Sequence, residues 1–212
     1  MKTLSPDHIA RLLKSALPGK ESHLKMMPPG RELVVNHHDI DLVRYSSVLL
    51  LLLPADGQIY TCLIKRNASM RHHPGQISLP GGKIEDGESP EITALREAQE
   101  EIGISPLDVQ LLGRLSELYV SVSRYTIFPY VGWMNYKPNF ILNEAEAEKL
   151  LLLPVQQFRK KLEISQALMR TSLGVMKVPC YLFEEEIIWG ATAMILTEFF
   201  DLIGESGAFI SQ

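Results

Sequence analysis

Apolar residues recur along this chain at two periods, and the switches between them mark its elements. Ile9, Leu12, Leu13 and Leu17 repeat at helical spacing. Ser5 before them suits an N-cap and Pro6 the first helical position, and Pro18-Gly19 ends the pattern. Residues 20–41 contain Pro28-Pro29-Gly30 and read as an irregular linker. Residues 45–53 and 58–65 are apolar runs joined by Ala55-Asp56-Gly57, which predicts a hairpin. Residues 67–80 carry Arg71, His72, His73, Pro74 and Gly75 and predict a loop entering a short strand over 76–79. Residues 89–102 are the clearest helix, with Ser89 as cap, Pro90 in the first turn and Gly103 to close it. Strands are predicted over 109–118, 127–133 and 178–183, and a C-terminal helix over 191–203. Residues 150–158 fit either state. No repeat interrupts this alternation of helices and strands, so one α/β or α+β domain is expected.

Composition narrows the class. Of 212 residues, 46% are hydrophobic and 22% charged, enough to build a core and too apolar for disorder. Lys and Arg number 21 against 25 Asp and Glu, a formal charge of -4. That balance argues against a protein that coats nucleic acid, but leaves room for a local basic patch that binds a small anion. Cys62 and Cys180 are too few for a disulfide scaffold and read as reduced thiols. The longest greasy run, residues 48–53, is far too short to span a bilayer, and the N-terminus lacks an apolar core of signal-peptide length. A cytoplasmic protein without a membrane partner is the expectation.

On a helical wheel at about 100° per residue, Ile92, Leu95, Ala98 and Ile102 share one face of the helix over 89–102. Glu97, Glu100 and Glu101 share the opposite one. Carboxylates at this spacing repel one another, and a divalent cation reverses the sign. Hard cations such as Mg²⁺ and Mn²⁺ take oxygen ligands, so clustered carboxylates suit them. A solvated acidic face is the simpler account of any Glu-rich helix. Its setting tips the balance here, because Gly81-Gly82 precedes the helix, Glu88 sits at its mouth and Arg96 stands beside the three glutamates.

Residues 82–104 read GKIEDGESPEITALREAQEEIGI. This resembles the Nudix box, with Gly82, Glu88, Arg96, Glu97, Ala98, Glu100, Glu101, Gly103 and Ile104 filling every fixed position. The resemblance implies an α/β Nudix fold, a mixed β-sheet sandwiched between α-helices, and metal-dependent hydrolysis of a nucleoside diphosphate derivative. It implies that Glu97, Glu100 and Glu101 hold Mg²⁺ or Mn²⁺, with a backbone carbonyl near Gly81 or Gly82 as a further ligand. Arg96 would orient Glu97, and Glu88 would bridge loop to helix.

Residues 62–82, CLIKRNASMRHHPGQISLPGG, are similar to the upstream signature of the coenzyme A pyrophosphatase branch. Leu63, Arg66, Arg71, Gly75, Pro80, Gly81 and Gly82 match it in register, and Cys62, Ile64, Asn67 and Leu79 depart from it. Lys65, Arg66, Arg71, His72 and His73 also form a basic cluster without an acid. Arginine suits bidentate phosphate contacts, so Arg66 and Arg71 are the substrate-binding candidates. The simpler account is that they are ordinary surface charges, or that Arg66 only pairs with a box glutamate. The branch resemblance continues through residues 121–134 and the acidic stretch Asn143-Glu144-Ala145-Glu146. By analogy with distal glutamates of other Nudix enzymes, Glu146 is the candidate to activate water, with Glu144 as its alternative. Trp189 lies in a stretch resembling the branch's closing turn, and reads as core rather than as a ligand platform.

The resemblance covers residues 45–203 and divides the chain into an N-terminal helix and linker, 1–40, and a Nudix domain, 41–212. It implies hydrolysis of coenzyme A or acyl-coenzyme A to 3′,5′-ADP and 4′-phosphopantetheine or its acyl form. The rivals are ADP-ribose, another dinucleoside-type diphosphate or a capped RNA end, and a nucleotide-binding regulatory domain. A small-molecule nucleotide is the expected partner, and a homodimer stays open. Seven acids against two bases between Gly82 and Ile104 give that window -5, so the rest of the chain carries +1.

Overall fold

The computed structural model describes residues 4–34, 42–70, 73–160, 163–171 and 174–208. Their elements run α1 (Pro6–Leu12), α2 (Lys20–Lys25), β1 (Arg44–Ala55), β2 (Gln58–Arg66), β3 (Ile77–Ser78), β4 (Gly81–Lys83) and α3 (Pro90–Ile102). Then follow β5 (Gln110–Arg114), β6 (Leu118–Val120), β7 (Tyr125–Trp133), β8 (Ala147–Pro154), α4 (Val155–Lys160), β9 (Ser165–Thr171), β10 (Gly174–Phe183), β11 (Glu186–Trp189) and α5 (Gly190–Ala208).

The leucine run is the spine of the molecule. Leu50 and Leu52 face one apolar cluster, while Leu49, Leu51 and Leu53 face the other. Both faces of β1 are therefore covered, which is why its sequence is continuously apolar instead of alternating. β1 pairs in parallel with β7 from Arg44↔Tyr125 to Leu52↔Trp133, and antiparallel with β2 and β4. The main sheet runs β3-β2-β1-β7-β5, with β4, β6 and β8 attached to β1, β7 and β2. Asp56 and Gly57 both take left-handed φ, the turn that closes the predicted hairpin. Ala94, Ala98 and Ile102 of α3 cover one face. On the other face, α1 and α5 share a core with Tyr181 and Ile188 of the second sheet, β11-β10-β9. The main sheet is thus mixed and sandwiched between helices, the expected fold.

Several local readings change. Residues 20–25, read as linker, form α2. Six residues are too few for a helix that stands alone, and packing supplies what the local signal lacks. His23 and Ser22 are buried against α5, where His23 Nε2 lies 2.8 Å from Glu198 and Ser22 donates to Asp201. The strand predicted over 109–118 is two: Leu115 still donates to the Pro129 carbonyl of β7 at 2.9 Å, and Ser116 and Glu117 then break the ladder before β6. Residues 150–158 are strand and then helix. On α3 the buried stripe is Ala94, Ala98 and Ile102, at i, i+4 and i+8, while Ile92 is 56% exposed. The face that meets β1 is rotated from the one the wheel suggested, and it carries Glu101 inward with it.

Candidate active site

The loop and the helix of the acidic motif are tied together by side chains. Arg96 Nε donates to Glu88 Oε1 at 2.7 Å and Nη2 to Glu88 Oε2 at 3.0 Å, a bidentate fork. Thr93 Oγ1 donates to the same carboxylate at 2.7 Å. The Arg96 bond first, then the Thr93 bond, hold Glu88 down at about 2, and the carboxylates hold Arg96 protonated. Arg96 Nη1 reaches Glu97 at 2.9 Å and Glu100 at 3.1 Å.

The three box glutamates then occupy three environments. Glu100 is half exposed. The Glu97 side chain is 13% exposed and lies against Gly82, where a Cβ would collide with its carboxylate. Glu101 is only 1% exposed; it accepts the Gly81 N–H at 2.9 Å and stands 3.6 Å from Arg66 Nη1. Burial pushes Glu101 up to about 8 and also raises Glu97. Each of the two feels the other's charge or its neighbours', and Glu146 contributes to both.

Glu146 is half-buried and accepts from Asn143 Nδ2 at 3.2 Å, while Glu144 is exposed. Asn67 anchors this stretch: its N–H donates to the Glu146 carbonyl at 2.8 Å and its Nδ2 to the Glu144 carbonyl at 2.7 Å. Arg66 is part-buried at Glu101, and its Nε has no hydrogen-bond partner. Arg71 and His72 lie outside the described residues. Among the described residues no three His, Cys, Asp or Glu side chains form a ready metal cage. Glu97, Glu101 and Glu146 nonetheless feel one another's charge as hard oxygen donors, Glu101 buried and the other two part-buried, and a divalent cation would balance that charge.

Beside this cluster lies a cavity of about 460 Å³ that borders Arg66, Gly81 and Gly82. Trp189 was expected in the core, but it is half-buried and forms part of the cavity wall, because β11 ends there. The periodicity could not distinguish the two, since a cavity wall is as apolar as a core. Arg31, Lys83 and Arg170 also line the cavity. Arg31 falls in the stretch read as linker, and no strand was predicted around Arg170, so neither carried a sequence signal.

A NUDIX domain profile matches residues 43–170, more than half of the chain. The chain belongs to the Nudix family. Within it, the chain is 31% identical over 183 residues to the uncharacterized Nudix hydrolase NudL of Photorhabdus laumondii, covering 82% of this chain and 89% of that protein. It is 32% identical to Nudix hydrolase 3 of Caenorhabditis elegans over 58% of this chain, and spans only 52% of that protein's length. It is 35% identical to the peroxisomal coenzyme A diphosphatase ndx-8 of the same organism, over 52% of this chain and 49% of that one. A crystal structure of a Nudix hydrolase from M. smegmatis, RenU, shares the fold, with a TM-score of 0.52 at 16% identity over 88% of this chain and 96% of that one. No helix among the described residues is long and apolar enough to cross a membrane.

Proposed function

We propose that this protein is a metal-dependent pyrophosphatase that cleaves coenzyme A or acyl-coenzyme A into 3′,5′-ADP and 4′-phosphopantetheine or its acyl form. The observation that carries the reading is the position of Arg66. It projects from β2 to within 3.6 Å of Glu101 and also borders the cavity that opens at Gly81-Gly82. The described part of the stretch with the coenzyme A signature therefore supplies a wall that the glutamate cluster and the substrate space share. Two departures from the signature leave that wall intact, since Cys62 and Ile64 are fully buried beneath α3. The likeness to a coenzyme A diphosphatase supports the same substrate class.

In this reading Glu97, Glu100 and Glu101 hold Mg²⁺ or Mn²⁺, with Glu100 half exposed and held toward Glu97 by the Arg96 guanidinium that both share. The cation supplies charge neutralisation at the diphosphate oxygens. Arg96 fixes Glu97, Arg66 offers its charge to a phosphate in the cavity it borders, and Glu146 accepts the proton of the attacking water. Gly82 leaves space for the Glu97 carboxylate.

The test incubates purified protein with Mg²⁺ or Mn²⁺ and a panel of coenzyme A, acetyl-coenzyme A, ADP-ribose and dinucleoside polyphosphates, with products identified by mass. Release of 3′,5′-ADP from coenzyme A at the highest kcat/KM is expected. Intact coenzyme A beside turnover of another diphosphate rejects the substrate reading and keeps the hydrolase.

A further inference from the structure

The cavity has lining residues to which the proposed hydrolysis assigns no role. Besides Gly81 and Gly82 it is lined by Arg31, Arg170 and the first turn of α5. Its described walls carry four cations, Arg31, Arg66, Lys83 and Arg170, and no Asp or Glu. Arg66 is shared with Glu101, whereas Arg31 has no carboxylate partner among the described residues. The Arg31 Nε is buried without a hydrogen-bond partner, and burial lowers the guanidinium's pKa.

Arg31 also lines a small pocket with Gly190 and Ala191, the first residues of a 19-residue helix whose first turn holds no acid. The acid that borders the same pocket, Glu32, is exposed and makes no ion pair with Arg31. A helix N-terminus carries partial positive charge and unused N–H donors. A part-buried guanidinium and a helix N-terminus that border one pocket both favour an anion there. Thr192 fixes the turn, donating to the Ile77 carbonyl at 3.0 Å. Arg170, exposed on β9, reaches the same space from the solvent side. Two guanidinium groups and a helix pole suit a dianion better than a single carboxylate.

We propose that Arg31, with Arg170 and the first turn of α5, forms a second anion subsite that recognises a phosphate monoester of the substrate remote from the diphosphate that is cleaved. The inference rests on the proposed coenzyme A-type reaction, in which that group is the 3′-phosphate. The subsite makes the enzyme discriminate for substrates that carry the monoester.

The test compares kcat/KM for coenzyme A and 3′-dephospho-coenzyme A in wild type, Arg31→Gln and Arg31→Lys. Wild type is expected to prefer coenzyme A. Arg31→Gln is expected to shrink the preference roughly ten- to hundredfold, through KM, and Arg31→Lys to restore part of it. Calorimetry with 3′,5′-ADP and 5′-AMP, without turnover, is expected to show the same Arg31-dependent preference. An equal affinity of wild type for the two nucleotides, or a preference that survives in Arg31→Gln, overturns the subsite. Intact coenzyme A with an Arg31-dependent preference in calorimetry rejects the reaction and keeps the subsite. Should Arg31→Gln melt or misfold, the exposed Arg170→Ala variant provides the same ratio, and an unchanged ratio there counts against the proposal.

Discussion

The Gly81 N–H donates to the Glu101 carboxylate at 2.9 Å and so closes the loop of the acidic motif onto the last turn of its helix. Glu101 lies on the inward face of α3, and the single N–H and the Arg66 guanidinium at 3.6 Å do not offset its burial.

Stability of the metal-free protein follows from that imbalance. Burial raises Glu101 from the ordinary 4.5 to about 8, so the native chain binds this proton more tightly than the unfolded chain does. Stability is then highest below the ordinary value and is lost as pH rises through about 8. Chelator-treated protein is expected to melt at progressively lower temperature between these limits, and Glu101→Gln to flatten the decline. Melting curves across the range check this; an unchanged slope in Glu101→Gln would count against it. Mg²⁺ or Mn²⁺ should restore the lost stability at the alkaline end.

Gly82 has no room for a side chain, because a Cβ would meet the Glu97 carboxylate. Gly82→Ala is expected to displace Glu97, weaken metal binding and lower kcat by about tenfold or more, with a small change in melting temperature. Metal titration and steady-state kinetics read the two effects separately. Wild-type metal affinity in the variant refutes the role given to this contact.

Arg66 serves two groups at once, the Glu101 carboxylate and the cavity. Arg66→Ala is expected to raise KM about tenfold and also to raise the Glu101 pKa further, moving the melting transition's pH dependence upward. Arg66→Lys should recover the charge without the fork and fall between the two. A KM unaffected by Arg66→Ala removes Arg66 from the substrate site.

Glu198 joins α5 to α2. It lies 2.8 Å from His23 Nε2 and accepts the Ser116 N–H at 3.0 Å. Burial pushes this carboxyl up, but the bonds from His23 and Ser116 outweigh it and hold the group below its ordinary value. A depressed carboxyl stabilises the fold above the ordinary 4.5, and that contribution is lost as pH falls through the folded value. Glu198→Gln is expected to cost about 3 kcal/mol at neutral pH, with the deficit fading below 4.5. Denaturant unfolding at both pH values checks this, and an equal deficit at both is the contrary result.

Much of this architecture was legible before any coordinates. The hairpin was marked by Asp56-Gly57 between apolar runs, and α3 by Pro90 and Gly103 at its ends. Helix α2 was not, because Lys20–Lys25 has no apolar stripe and is held by polar bonds from Ser22 and His23 to a helix about 175 residues away. Ile92 misled for the opposite reason: it fits the wheel's apolar face, but Ala94, Ala98 and Ile102 make the packed stripe and Ile92 remains exposed. Trp189 and Arg31 carried no local sign that they line a shared cavity.

The sequence by itself determined the hairpin of β1 and β2, the helices α1, α3 and α5, the spacing of Glu97, Glu100 and Glu101, and the family to which the chain belongs. These depend on period, caps and residue identity, all local quantities. Only the tertiary structure decided that the three glutamates differ, with Glu101 buried, Glu97 pressed against Gly82 and Glu100 half exposed. It also decided that Arg31 and Arg170 meet one cavity. The reason is physical: a carboxylate's basicity and a guanidinium's lack of a partner depend on which distant groups pack around them and how much water they exclude.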